Sequence, residues 1–342
     1  MEFIRMEFWT GRLRYLLYVK TRVGPWYTKK QWEKAAIQHP SGHSNELNFE
    51  YPGITVFALP VGFDNYCYAI VNELNADHIT AERQCILIDV GDATKMLEFL
   101  RKNKLILSAV LSTHKHWDHT LGNSTLKSSF PGLKFMEVGE LHLSINGDVI
   151  KAGGLSLSVC STPGHTRKHF IFLLKLPDEQ RQLIFTGDFL FNAGSGRLYE
   201  CSPDVQLASI AKFVGLVKPT DLIFPGHEYA LENYKFSHWL WKRSIRSELL
   251  PSCPNDRTYL VAEYGRKVDK CQLARSALIP LVPFSVAEQL QYNLFLNTAD
   301  ESIQALAGVV KSDGEVQRQA QTFFNLFKLK DEFWPEKNKN WF

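Results

Sequence analysis

The stretch AVLSTHKHWDHTLGN, residues 109–123, runs an apolar strand into three histidines and an aspartate within six positions: His114, His116, Asp118 and His119. A strand ending in such a loop presents side chains at the rim of a sheet, where scaffolds place reactive groups. This loop is the strongest signal in the chain, with a solvated polar loop as the alternative. Three further places change the balance. His165 in STPGHT, Asp188 in IFTGD and His227 in IFPGHEY each follow an apolar run and adjoin a glycine, which lets the backbone turn sharply there. Together these positions supply five imidazoles and two carboxylates. Such a donor set suits two adjacent divalent ions, with zinc first and iron or manganese compatible, rather than calcium or magnesium with their all-oxygen shells. On sequence grounds His114 or its neighbours serve equally well as groups that orient the ligands rather than bind.

Outward from this loop the chain alternates strand and helix signals. Before it stand short β-branched and aromatic runs, ITVFAL from Ile54, YCYAIV from Tyr66 and CILIDV from Cys85, then a helical pattern over 94–104 and the strand 108–112. After it come strand patterns at 155–160, 169–175, 182–185 and 222–224, with a helix following Pro203. Two sheets flanked by helices fit this order, an α/β (α+β) chain. Beyond Glu228 the pattern turns helical, to about Leu250, over 286–296 and over 316–329. The segmentation expected is an N-terminal extension 1–46, a sheet-containing domain 47–228 and a helical C-terminal domain 229–342.

Of 342 residues, 45% are hydrophobic and 22% charged, which argues against disorder and against a multi-span membrane protein. The net charge of +3 gives no basic stripe for a phosphate backbone, so no nucleic acid is expected as partner. Six cysteines are scattered with no CxxC pair and read as thiols of a reducing compartment. With no signal peptide and no long apolar stretch, the expectation is a cytoplasmic or mitochondrial protein, not a secreted one. Residues 1–27, MEFIRMEFWTGRLRYLLYVKTRVGPWY, mix aromatic and aliphatic residues with Arg5, Arg12, Arg14, Lys20 and Arg22. An interfacial helix with Phe8, Trp9, Leu13, Leu16 and Leu17 toward lipid, or a targeting segment, fits that mixture; a helix docked on its own protein competes. A peripheral membrane or protein partner through residues 1–46 is one of these readings, a helix docked on its own protein the other.

The HxHxDH loop followed in order by His165, Asp188 and His227 resembles the metallo-β-lactamase superfamily. That resemblance implies an αββα sandwich in which His114, His116 and His165 bind one metal, Asp118, His119 and His227 a second, and Asp188 bridges them. Within the superfamily, GDFLFNAGSGRLYE (187–200), GHEYALENYKF (226–236) and KDEF (330–333) resemble glyoxalase II, the hydroxyacylglutathione hydrolase family, with its helical C-terminal domain. The family's residues for a glutathione conjugate then map to Arg197, Tyr199, Tyr229 and Lys330. Arg and Lys suit the carboxylates of such a small-molecule partner.

The activity implied is thioester hydrolysis, a bridging hydroxide attacking the carbonyl, with Asp118 and Asp188 as the catalytic carboxylates. A mononuclear-iron persulfide dioxygenase and a scaffold built on a hydrolase fold are the alternatives. The segment TRVGPWYTKKQWEKAAIQHPSGHS (21–44) is similar to one extended member of the family. Departures are equally specific: GHTRKH places Lys168 where the family has glycine, and Leu121 takes one glycine of its Gly-Gly-Asn. Phe327 stands where glyoxalase II has an arginine, with Lys328 beside it to compensate.

Overall fold

The computed structural model describes residues 13–40, 42–74, 83–137, 146–177, 181–244, 254–309 and 314–334. Two units divide the chain between Cys160 and Ser161.

In the first unit, helices α1 (13–20) and α2 (Val23–Gln38) precede a sheet of order β1 (Leu47–Tyr51), β2 (Ile54–Val61), β3 (Asn65–Asn72), β4 (Arg83–Ile88), β5 (Leu105–Leu111) and β6 (Lys134–Met136). Strands β1 to β4 pair antiparallel, whereas β4, β5 and β6 run parallel. Parallel neighbours need a crossover. Between β4 and β5 it is α3 (Ala93–Lys102), opened by Asp92, whose side chain accepts hydrogen bonds from Thr94 N and Lys95 N. Met96, Phe99 and Leu100 fall on one helical face and are buried against Cys67, Ala69, Leu87 and Val110. Every residue of β3 is buried, so NYCYAIVN lacks the alternation of a half-exposed strand. After β5 come α4 (Trp117–Thr120) and α5 (Asn123–Ser129), then a hairpin of β7 (Asn146–Ala152) and β8 (Leu155–Ser161), tied to β3 by Asn72 Nδ2 donating to Gly153 O at 2.9 Å.

In the second unit, β9 (Phe170–Lys175) pairs antiparallel with β10 (Gln182–Gly187). A small ribbon, β11 (Leu190–Phe191) with β12 (Gly194–Ser195), follows, then helix α6 (Pro203–Leu216) carries the chain to β13 (Leu222–Pro225), parallel to β10. Helices α7 (Ala230–Ser244) and α8 (Pro254–Ser276) precede β14 (Phe284–Ser285), α9 (Val286–Tyr292), α10 (Glu301–Leu306) and α11 (Glu315–Phe333). Aromatic rings knit this helical part: Phe295 lies 5.3 Å from Phe323 and 4.7 Å from Phe327, and Tyr264 donates to Tyr292 O at 2.8 Å.

The chain thus carries two principal β-sheets with flanking helices and a helical C-terminal region, a mixed α/β fold. Local corrections have physical causes. The helix expected over 286–296 ends at Tyr292, because Asn293 leaves helical geometry and turns its amide to Phe191 O and Gly194 O. The helical C-terminal part also contributes the short strand β14, antiparallel to β13. Helix α8 has no expected counterpart; its apolar residues are too sparse for a clear stripe. Phe8, Trp9, Cys253 and residues 245–250 lie outside the described residues. Of the remaining cysteines, Cys67, Cys85, Cys160 and Cys271 are buried and Cys201 is half-buried, and none of these forms a disulfide among the described residues. No helix among the described residues is long and apolar enough to cross a membrane.

Candidate metal centre

In the first unit the histidine loop is held at the end of β5 by a residue from the neighbouring strand end. Asp89, just past β4, is buried and adopts φ 57°, a left-handed conformation that Asp tolerates better than most side chains. Its carboxylate accepts from Thr113 N at 2.7 Å and Thr113 Oγ1 at 2.8 Å, and lies 3.0 Å from His119 Nδ1. An Nδ1–H donated to Asp89 leaves Nε2 of His119 with its lone pair, which is how an outer carboxylate prepares an imidazole for a metal. That Nε2 sits 3.4 Å from Asp118 Oδ2. His114, His116 and His119 are all buried, their rings 4.6 Å (His114 to His116) and 4.3 Å (His114 to His119) apart. Gly91 lets the loop backbone close on the end of β4, since a Cβ there would stand 2.2 Å from Asp118 O.

The N-terminal helices reach the same loop. Tyr15 Oη lies 3.2 Å from His116 Nε2, and Tyr18 Oη donates to Asp118 Oδ1 at 3.3 Å. Asn65, at the start of β3, donates its amide to Asp118 Oδ2 at 3.1 Å. Leu13, Leu16 and Leu17 face outward from α1, while Tyr15 is buried.

In the second unit two strand-end histidines, His165 and His227, converge on Asp188. His165 Nδ1 donates to Arg197 O at 2.7 Å, which leaves its Nε2 3.4 Å from Asp188 Oδ2. His227 Nε2 lies 3.4 Å from Asp188 Oδ1. Each carboxylate oxygen of Asp188 therefore faces one imidazole nitrogen. The spacing is too long for a good N–H···O bond. It matches two donors each ~2.1 Å from a shared ion in a tetrahedral shell, which stand about 3.4 Å apart. The donor chemistry and this spacing both fit a divalent metal. Gly196 makes room, since a Cβ on it would meet Asp188 O at 1.8 Å and His165 Nδ1 at 3.1 Å.

The four cationic and aromatic positions proposed for substrate gather beside this half, and a fifth does not. Arg197 forms a two-pronged ion pair with Asp331, Nη1 to Oδ2 at 3.0 Å and Nη2 to Oδ1, with its guanidinium 5.6 Å from the Phe327 ring centroid. Lys330, adjacent to Asp331 on α11, donates to Asn233 Oδ1 at 2.6 Å. The Tyr199 ring meets His165 edge-on at 5.3 Å, and Tyr229 stacks on His227 at 4.8 Å. Lys328 instead lies over the exposed Phe324 ring, on another face of α11. Lys168 is exposed.

Sequence reading missed Asp89, Tyr15, Tyr18, Asn65, Asn233 and Asp331. A signal existed for Asp89 alone: it closes the apolar run CILI and stands two residues before a glycine, much like the other strand-end groups.

Comparison with known proteins places residues 78–148 in the Metallo-beta-lactamase superfamily and residues 262–333 in the Hydroxyacylglutathione hydrolase C-terminus family. The chain is 31% identical over 261 residues to a hydroxyacylglutathione hydrolase-like protein of Mus musculus, covering 75% of this chain and 84% of that one. It is 29% identical over 282 residues to hydroxyacylglutathione hydrolase of Salmonella typhi, covering 81% and 98%. A solved metallo-beta-lactamase of Staphylococcus aureus aligns at 16% identity with a TM-score of 0.45, over 75% of this chain and 67% of its own.

Proposed function

From the premise that this chain belongs to the hydroxyacylglutathione hydrolase, or glyoxalase II, family of the metallo-β-lactamase superfamily, we propose that it cleaves the thioester of a glutathione conjugate. It is a metallo-hydrolase with a divalent-metal site. The finer reading is that His114, His116 and His165 hold one ion, Asp118, His119 and His227 a second, with Asp188 shared. The partition follows from the family resemblance; the observation that supports metal ligation by these residues is the repeated 3.4 Å spacing of His119 with Asp118 and of His165 and His227 with Asp188.

Bound divalent ions supply a hydroxide nucleophile near neutral pH and polarise an acyl carbonyl. The chain's own residues do the rest. Asp118, steadied by Tyr18 and Asn65, offers a carboxylate that orients the nucleophile's proton. A leaving thiol with a pKa of about 8.5 departs as thiolate without a strong general acid. Arg197, Asp331 and Lys330 sum to one positive charge, which complements the single net negative charge of a glutathione moiety, and Tyr199 and Tyr229 supply aromatic walls and hydroxyls beside it. On this reading residues 47–228 carry the ligands, residues 229–342 complete the glutathione pocket, and 1–46 form an extension.

The test is metal content of the purified protein together with thiol release from S-lactoylglutathione, with Asp188→Ala as the control. About two ions per chain and metal-dependent release that Asp188→Ala abolishes is the expected result. Bound metal without release, or a single iron with oxygen uptake on a persulfide, overturns the proposal.

A further inference from the structure

The N-terminal segment ends on the metal loop by hydroxyl groups rather than by apolar contact alone. Tyr15 and Tyr18 stand three apart on α1, hence on one face, and address His116 and Asp118 in turn. Two further bonds fasten the segment there: Trp117 Nε1 donates to Tyr18 O at 2.8 Å, and Trp32 Nε1 donates to Gly91 O at 3.1 Å. Gly24, where α2 begins, packs so closely on Trp117 that a Cβ would lie 2.4 Å from its Nε1. Pro25 of α2 also lines, with His114, Lys115 and Trp117, a cavity of about 440 Å³ beside the loop.

Packing alone needs no hydroxyls. Phenylalanine would fill the same volume, whereas each tyrosine sets a polar atom against a metal-ligand candidate. A bond between Tyr15 Oη and His116 Nε2 has a specific consequence. When Nε2 carries the proton and donates it, Nδ1 is left with the lone pair, so the tautomer of His116 is fixed. Tyr18 on Oδ1 and Asn65 on Oδ2 together hold the plane of the Asp118 carboxylate.

We infer that the N-terminal segment is a working part of the metal centre, in which Tyr15 and Tyr18 are positioning residues that set His116 and Asp118 for metal binding. The inference rests on the reading of those two residues as ligands. It also reverses the simplest expectation for an extension: removing residues 1–46 weakens metal binding as well as any address they carry.

The experiment is chelator competition for Zn(II), with the visible absorption of the Co(II)-substituted protein, on the full chain and on Tyr15→Phe, Tyr18→Phe and the double variant. Outer partners of metal ligands contribute roughly 10–100-fold in affinity, so the double variant should bind Zn(II) about that much more weakly and shift its Co(II) bands. Leu17→Ala, on the outward face of α1, should change neither. Unchanged affinity and spectrum in the tyrosine variants overturn the inference. So does a lower melting temperature of the metal-free protein with affinity intact, which marks the tyrosines as structural only. His116→Ala separates the two levels: if it loses metal while the tyrosine variants keep it, only this inference fails. If His116→Ala keeps metal, the ligand reading fails and the inference with it.

Discussion

Asp89→Asn isolates one proton. Asn tolerates the left-handed φ of 57° at this position, so the backbone is spared while the charge is removed. In the native arrangement the carboxylate takes Thr113 N at 2.7 Å, Thr113 Oγ1 at 2.8 Å and His119 Nδ1 at 3.0 Å. The Asn carbonyl oxygen can keep the Thr113 amide, and the threonine hydroxyl can rotate to accept from the new NH2 group. His119 cannot adjust without cost: facing a donor, it must move its proton from Nδ1 to Nε2, the nitrogen 3.4 Å from Asp118. The charge-assisted bond to His119 is replaced by a neutral one running the other way, a net loss of about 1–1.5 kcal/mol. At about 2–4 °C per kcal/mol, the metal-free protein should melt roughly 2–6 °C lower. Zn(II) affinity should fall about 10–100-fold, some 1.4–2.7 kcal/mol, because binding now requires the rarer tautomer. Calorimetry of the metal-free protein and chelator competition measure the two effects separately. If Asp89→Asn binds Zn(II) as the parent does, the tautomer argument for His119 is refuted.

Gly196→Ala drives a methyl into Asp188 O and against His165 Nδ1. Such overpacking costs about 1–3 kcal/mol, and metal affinity measured with a chelator should fall tenfold or more while circular dichroism stays unchanged. Asp331→Asn raises the charge around Arg197, a pair about two-fifths exposed, so the KM for a glutathione thioester should drop by up to about fivefold with kcat unchanged, whereas Arg197→Gln should raise it. Burial pushes the Cys85 thiol up to about 12, the Cys271 thiol, with Glu228 and Glu288 adding, to about 12, and Cys67 well above its ordinary value. A raised thiol pKa means less thiolate, about one part in ten thousand at pH 8 for a value of 12, so iodoacetamide followed by peptide mass spectrometry should find these three unmodified until the protein unfolds.

What the sequence made legible follows from how locally each signal is written. Strand β5 and its loop are contiguous, and His165, Asp188 and His227 each announce themselves by an apolar run and a glycine in the immediate neighbourhood. Helix α3 reads from the spacing of Met96, Phe99 and Leu100 together with the Asp92 cap. The groups that steady the ligands are written elsewhere in the chain. Asp89 meets His119 across 30 residues, Asn65 meets Asp118 across 53, and Arg197 meets Asp331 across 134. No periodicity encodes such pairs, because they exist only once strand order and helix docking are known. Tyr15 and Tyr18 were hidden for a different reason. Their helix carries Leu13, Leu16 and Leu17 outward, and that apolar face draws a reading toward lipid while the opposite face holds the contacts. Strand β14 escaped because two residues give no pattern; β13 pairs with them through backbone groups indifferent to side-chain identity.

The separation of Tyr15 from His116, 101 residues, also sets a clock. A ribosome adds about 5–20 residues per second, so roughly 5–20 s pass between the emergence of the tyrosine and that of the histidine it meets. Throughout that interval Tyr15, buried in the finished protein, stands open beside Leu13, Leu16 and Leu17, which stay open afterwards. Arrival of the histidine loop gives the Tyr15 and Tyr18 hydroxyls their partners, so the inner face of α1 closes in the course of synthesis while its outer face stays on offer.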